Sequence, residues 1–162
     1  MPGQVRTKAS TIEQLVIPVL GDVDLDPAAT VANEVGAKNA WDGKVVDGLV
    51  PQWASVAQTV WLVPPRKHEE MHGHMLGQWV ERAYRESRKG ATILAVLPAK
   101  TGVGWFHNFV TRSAAFTLVQ QKYEFENWGQ EAQLTVLWSA DNRMIDKYQQ
   151  ASESRGLLVV NA

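Results

Sequence analysis

The run ATILAVLP, residues 91–98, constrains the fold more than any other stretch of the chain. A strand with one solvated face would alternate apolar and polar residues, and this run does not. A short segment that is apolar in both directions fits a central parallel strand with helices packed on both faces. The segment before it supplies one such helix. From Met75 to Lys89 the apolar residues Leu76, Trp79, Val80 and Ala83 recur at spacings of three and four, the opposite face is charged, and Gly90 stands where a C′ glycine would. The pair implies a layered α/β domain.

Further strands are read at TVWLV (59–63), AFTLVQ (115–120), QLTVLW (133–138) and GLLVV (156–160), the last as an edge. DVDLDPAA (22–29) reads as a short strand meeting a turn at Pro27. A short helix is expected from Thr11 through Val19, curtailed by Pro18, a weak one over 30–40, another over 104–112, and one capped by Asp141 and running to about Ser152. Strands alternating with helices imply a parallel or mixed sheet covered on both faces. Residues 1–10 are polar and expected to be flexible, leaving 11–162 as one domain.

A chain of 162 residues suffices for a single core. With no cysteine it has no disulfide, thiolate or Cys-ligated metal chemistry. No stretch approaches the roughly 18 apolar residues of a membrane span, and residues 1–20 lack a signal-peptide core, so a cytoplasmic protein without a membrane partner is expected. Charge is uneven: residues 62–112 carry 8 basic and 4 acidic side chains against a net charge of −1 for the whole. Four of the basic residues (Arg82, Arg85, Arg88 and Lys89) belong to the amphipathic helix, so the excess reads either as its solvated face or as a phosphate-facing strip.

In an open α/β sheet ligands bind beyond the carboxyl ends of the strands. Three polar segments, DLDPAA, VPPR and LPAKTG, follow strands and are expected to share one crevice. Their order is informative. DLDPAA, DGL (47–49), Trp53, VWLVPPR (60–66), QWVERA (78–83), LPAKT with WFH (105–107), and KYEF (122–125) occur in the succession seen in the small phage-type DNA adenine methyltransferases, which the chain resembles over roughly residues 11–138.

That resemblance implies a Rossmann-like, mostly parallel sheet, S-adenosylmethionine as cofactor with no metal, and DNA as substrate in a phage-infected or lysogenic host. It assigns Asp24, Asp26, Pro27, Ala28 and Asp47 to the cofactor, and Val63, Pro64, Pro65 and Arg66 to the catalytic loop. The family's loop is Asn or Asp, Pro, Pro, then an aromatic. Its first residue offers an oxygen to the adenine amine, and its last stacks on the flipped base. Val63 has no acceptor, and losing a group aimed at developing charge lowers rates on the order of 100- to 1,000-fold. Arg66 retains a planar guanidinium able to stack on a base or hold a phosphate. The resemblance thus points to a methyltransferase with impaired or lost catalysis, with an inactive domain that binds DNA or a protein partner as the alternative.

Candidate nucleic-acid contacts are Arg66, Lys67, Lys100, Trp105 and His107, with a packing role equally open to Trp105. HEEMH (68–72) matches the metalloprotease pattern H-E-x-x-H, in which two histidines on one helix face ligate zinc. Pro64, Pro65 and Gly73 crowd the segment against such a helix, so it reads as a solvated loop, with His68, His72 and His74 the residues a metal would use.

Overall fold

The computed structural model describes residues 4–44, 46–66 and 73–161. Nine strands are present among them: β1 (Arg6–Thr7), β2 (Leu25–Asp26), β3 (Asn39–Ala40), β4 (Thr59–Leu62), β5 (Thr92–Pro98), β6 (Ala115–Val119), β7 (Phe125–Glu126), β8 (Gln133–Trp138) and β9 (Gly156–Val160). Seven form one sheet in the order β3-β2-β4-β5-β8-β6-β9, and β1 pairs with β7 apart from it. The apolar run is the centre of this sheet, and every residue of β5 is buried.

Side-chain alternation along β5 divides the core. Ile93, Ala95 and Leu97 face a cluster containing Trp53, Trp79 and Trp138, while Leu94 and Val96 face one containing Leu15, Val19, Tyr123 and Tyr148. The helix α1 (Leu76–Ser87) lays Trp79, Val80 and Ala83 on the first face. The helix α2 (Asn142–Ser152) inserts Tyr148 into the second, and Asp141 caps it by accepting the N–H of Arg143 at 2.9 Å. Burial of each large side chain contributes roughly 1.5–3 kcal/mol, and these layers are what fix the strand ends in space.

The sheet is mixed, not mostly parallel. β3, β2, β4 and β5 run parallel, but β8 is antiparallel to both β5 and β6, β9 is antiparallel to β6, and the antiparallel ladders are the longer ones. The chain passes from β6 to β8 without the helical crossover a parallel return requires, so β8 folds back beside β6. Its two inward polar residues are paired: the Gln133 amide brackets the backbone of Tyr123 at 2.8 Å in both directions, and the Thr135 hydroxyl meets the Tyr148 phenol at 2.7 Å.

Two local expectations also change. Residues 30–40 are turns leading into β3 instead of a helix, because Asn33 and Gly36 hold φ of 48° and 63°, in the left-handed region. The Asn33 side chain then clamps both backbone groups of Ala37. The helical run near the start begins earlier than Thr11, at Ala9–Thr11, and continues through a wide π turn at Ile12–Val16 into Ile17–Leu20. Pro18 falls directly after that π segment, where the hydrogen-bond ladder already departs from α-helical spacing. The helix expected over 104–112 is present over 104–110, with Phe106–Val110 wound as a π helix. Ahead of Ala9, Arg6–Thr7 is antiparallel to β7.

Candidate functional site

Because β2, β4 and β5 are parallel, Asp26, Leu62 and Pro98 end them at one edge. The sheet order also reverses there. The chain leaves β2 for β3 on one side and returns for β4 on the other, so the switch point, where such sheets bind ligands, lies between β2 and β4. DLDPAA and VPPR flank it.

At the β2 end, Asp26 is buried, and its Oδ1 accepts the N–H of Ala28 at 3.2 Å. Burial pushes its carboxyl up to about 7, the Ala28 N–H opposes that, and the charge of nearby Glu34 adds to it. Glu34 accepts a hydrogen bond from the Thr30 hydroxyl at Oε2, while its Oε1 is buried without a hydrogen-bond partner among the described residues. The two carboxyl groups thus lie near enough for one charge to act on the other, and one of their oxygens is buried without a partner among the described residues.

Asp24 is turned to other work. Its Oδ2 accepts the N–H groups of Gln58 and Thr59 at 2.9 and 3.2 Å, at the start of β4 and away from the candidate edge. Partial burial raises its carboxyl, but those two N–H groups and Lys38 outweigh burial and hold it below the usual carboxylate range.

The DGL turn sits directly on DLDPAA. A Cβ on Gly48 would lie 1.9 Å from the Pro27 carbonyl oxygen, so only glycine permits this approach. The Trp53 indole donates to the Gly48 carbonyl at 2.8 Å and locks the turn. Asp47 accepts the N–H of Leu49 at 3.0 Å and pairs with His74 Nε2 at 2.8 Å. His74 in turn stands edge-on to Trp79.

A cavity of about 210 Å³ opens at the ends of β4 and β5, lined in part by Pro65, Arg66, His74, Pro98, Lys100 and Glu131. Two of the three expected segments, VPPR and LPAKT, therefore meet there, with Asp47 joined through His74. Val63 packs against the second core cluster, and Pro64 is buried. Arg66 lies 4.5 Å over the Trp128 ring, donates to the Trp128 carbonyl at 3.1 Å, and forms an ion pair with Glu131. Its plane is thus stacked within its own chain. Lys100 is exposed at the cavity rim.

Trp105 packs over Gly77 of α1, against the first core cluster, and His107 is exposed beside Phe106. Lys67, His68 and His72 lie outside the described residues. Among the described residues no group of three His, Asp or Glu side chains is gathered closely enough to hold a metal ion, and no helix is long and apolar enough to cross a membrane. Sequence reasoning missed Glu34, Trp128 and Glu131. The only signal for the last two was the aromatic content of the polar connection 121–132. Compared with family models and with curated protein sequences, the chain matches none.

Proposed function

We propose that this chain is a Rossmann-like methyltransferase domain of the phage DNA adenine type that retains S-adenosylmethionine binding, has lost methyl transfer, and acts by binding DNA or a protein partner. The observation that carries this reading is the switch point between β2 and β4, flanked by the two segments the resemblance assigns to cofactor and catalysis. The β2 end fits the cofactor's chemistry. S-adenosylmethionine brings an ammonium group and an electrophilic methyl on a sulfonium, and the buried Asp26 carboxyl with the orphaned Glu34 Oε1 suits a cation. Asp26 and Glu34 would hold that end, with the Pro27 and Ala28 backbone beside them.

Loss of transfer is supported at the β4 end. Val63 supplies no acceptor for an adenine amine and is half-buried against the second core cluster, while Arg66 is committed to Trp128 and Glu131 instead of standing free to stack on a base. Removing a preorganised acceptor is enough to lower turnover by about two to three orders of magnitude.

Calorimetric titration with S-adenosylmethionine, and with S-adenosylhomocysteine, tests the cofactor half. Micromolar binding is expected at about pH 8. Because a cation prefers ionised Asp26, affinity should weaken as pH falls through about 7, approaching tenfold per pH unit below it. A radiolabelled methyl-transfer assay on DNA tests the other half and is expected to give no product. Absence of binding at about pH 8 would remove the cofactor from the reading, and methylated DNA would remove the loss of catalysis.

A further inference from the structure

The two edges of the seven-stranded sheet are unlike. β3 closes one edge with two residues, Asn39 and Ala40. β9 closes the other with Gly156-Leu-Leu-Val-Val160, which has no charge and no proline. Natural sheets blunt such edges with lysine, proline, bulges or a covering element. Among the described residues none of these interrupts or covers β9, which pairs with β6 in unbroken register from Gly156 to Val160. Leu157 and Val160 are 63% and 42% exposed on it. The flanking Arg155 does not guard the strand: its guanidinium donates to the carbonyls of Gln121 and Lys122 and lies 4.2 Å over the Tyr123 ring.

The direction of the free backbone groups follows from the ladder. Asn161 donates to the Ala114 carbonyl at 2.9 Å, in register with the β6–β9 pairs. In an antiparallel ladder, alternate residues turn both backbone groups to the same side. Val159 and Leu157 therefore face β6, and Gly156, Leu158 and Val160 present N–H and C=O outward. We propose that β9 pairs with β9 of a second copy of this chain, antiparallel about a two-fold axis at Leu158.

That register is self-complementary. Leu158 faces its own counterpart, Gly156 faces Val160, and each such pair exchanges two N–H···O=C bonds, so all the outward groups of the strand are met. Side chains agree with backbone. Exposed Leu157 falls opposite Val159 on the face of the tryptophan-rich cluster, and Leu158 falls opposite Leu158 on the other. The side chain of Val160 comes against Gly156, which has none. A closed two-fold pairing consumes both edges and stops at the dimer. An interface of one short strand per partner lies at the small end of specific interfaces, so association is weak and concentration-dependent. The inference rests on the edge alone and does not depend on the proposed function.

Sedimentation velocity on the whole chain over a wide concentration series tests it, together with amide hydrogen exchange at low and high concentration. The average mass should climb from 18.0 kDa toward twice that value, and exchange at Leu158 and Val160 should slow with concentration. Val160→Pro deletes an outward N–H that the monomer's ladder does not use, and Leu157→Lys sets a charge against Val159. Both should stay at the mass of one chain with unchanged thermal melting. A chain that is monomeric throughout, self-association that survives both substitutions, or association that leaves exchange at Leu158 and Val160 unchanged would each overturn the proposal.

Discussion

Gly48→Ala is expected to destabilise the fold by about 3 kcal/mol or more, because overpacking against backbone cannot relax through a rotamer change. The added methyl would lie 1.9 Å from the Pro27 carbonyl oxygen and 3.0 Å from the Trp79 ring. Neither neighbour can yield. Pro27 follows directly on β2, and Trp79 is fully buried between α1 and the sheet. Relief requires lifting the DGL turn, and that pulls on the Trp53 indole bond to Gly48 and on Asp47, the partner of His74 at the cavity wall. Chemical denaturation should therefore show a lower midpoint, and the imidazole of His74 should shift in NMR spectra even in the folded fraction. Gly102→Ala is the control: its added Cβ meets nothing within 4 Å, so near-neutral stability is expected there. Equal behaviour of the two variants would mean that the turn does not rest on DLDPAA as described.

The contact behind that result shows what sequence could and could not say. Asp-Gly at 47–48 announced a turn, and DLDPAA announced a strand end, but nothing in either announced that one carbonyl would lie against the other's Cα. The central position of β5, though not its expected parallel setting on both sides, was legible because an apolar run buried on both faces belongs inside a sheet, and α1 and the Asp141 cap were legible because they rest on local spacing. Strand direction was not carried by composition: QLTVLW is as fully buried between two antiparallel neighbours as ATILAVLP is between one parallel and one antiparallel neighbour. The clue lay in the connection instead, since 121–132 has no helical period and so could not return the chain parallel. Residues 30–40 were misread because one left-handed Asn33 defeats several residues of fair helix propensity.

At the site, the three segments at strand ends followed from pattern and lie at the same end of the sheet, but only VPPR and LPAKT line the one cavity there, so the shared crevice expected for all three is not formed. Their partners did not follow. Arg66 finds Trp128 and Glu131 more than sixty positions later in the chain, and no local rule reaches that far. The direction of Asp24 was equally hidden, since alternation places it on a strand without saying that its carboxylate turns back toward the start of β4.

Asp26→Asn is expected to stabilise the protein at and above neutral pH while weakening the proposed cation site. In the fold, burial raises the Asp26 carboxyl from 3.8 to about 7. The sign follows from proton binding: between those two values the folded chain holds a proton that the unfolded chain has released, so stability falls as pH rises. The contribution of the protonated carboxyl is complete below 3.8 and gone above about 7. Integrated over that window it is on the order of a few kcal/mol. Asparagine keeps an oxygen for the Ala28 N–H and cannot ionise, so the variant should melt higher at about pH 8 and close to the parent at about pH 4. The Glu34 Oε1 would keep its unpaired state, and without an anionic partner beside it a cation gains less on entering. A stabilised variant that binds S-adenosylmethionine less well would mean that the chain holds this carboxylate against its own stability, as ligand sites do. Melting that tracks the parent at every pH would instead place Asp26 in water, and the switch point would lose the one group that distinguishes it from a strand end of ordinary polarity.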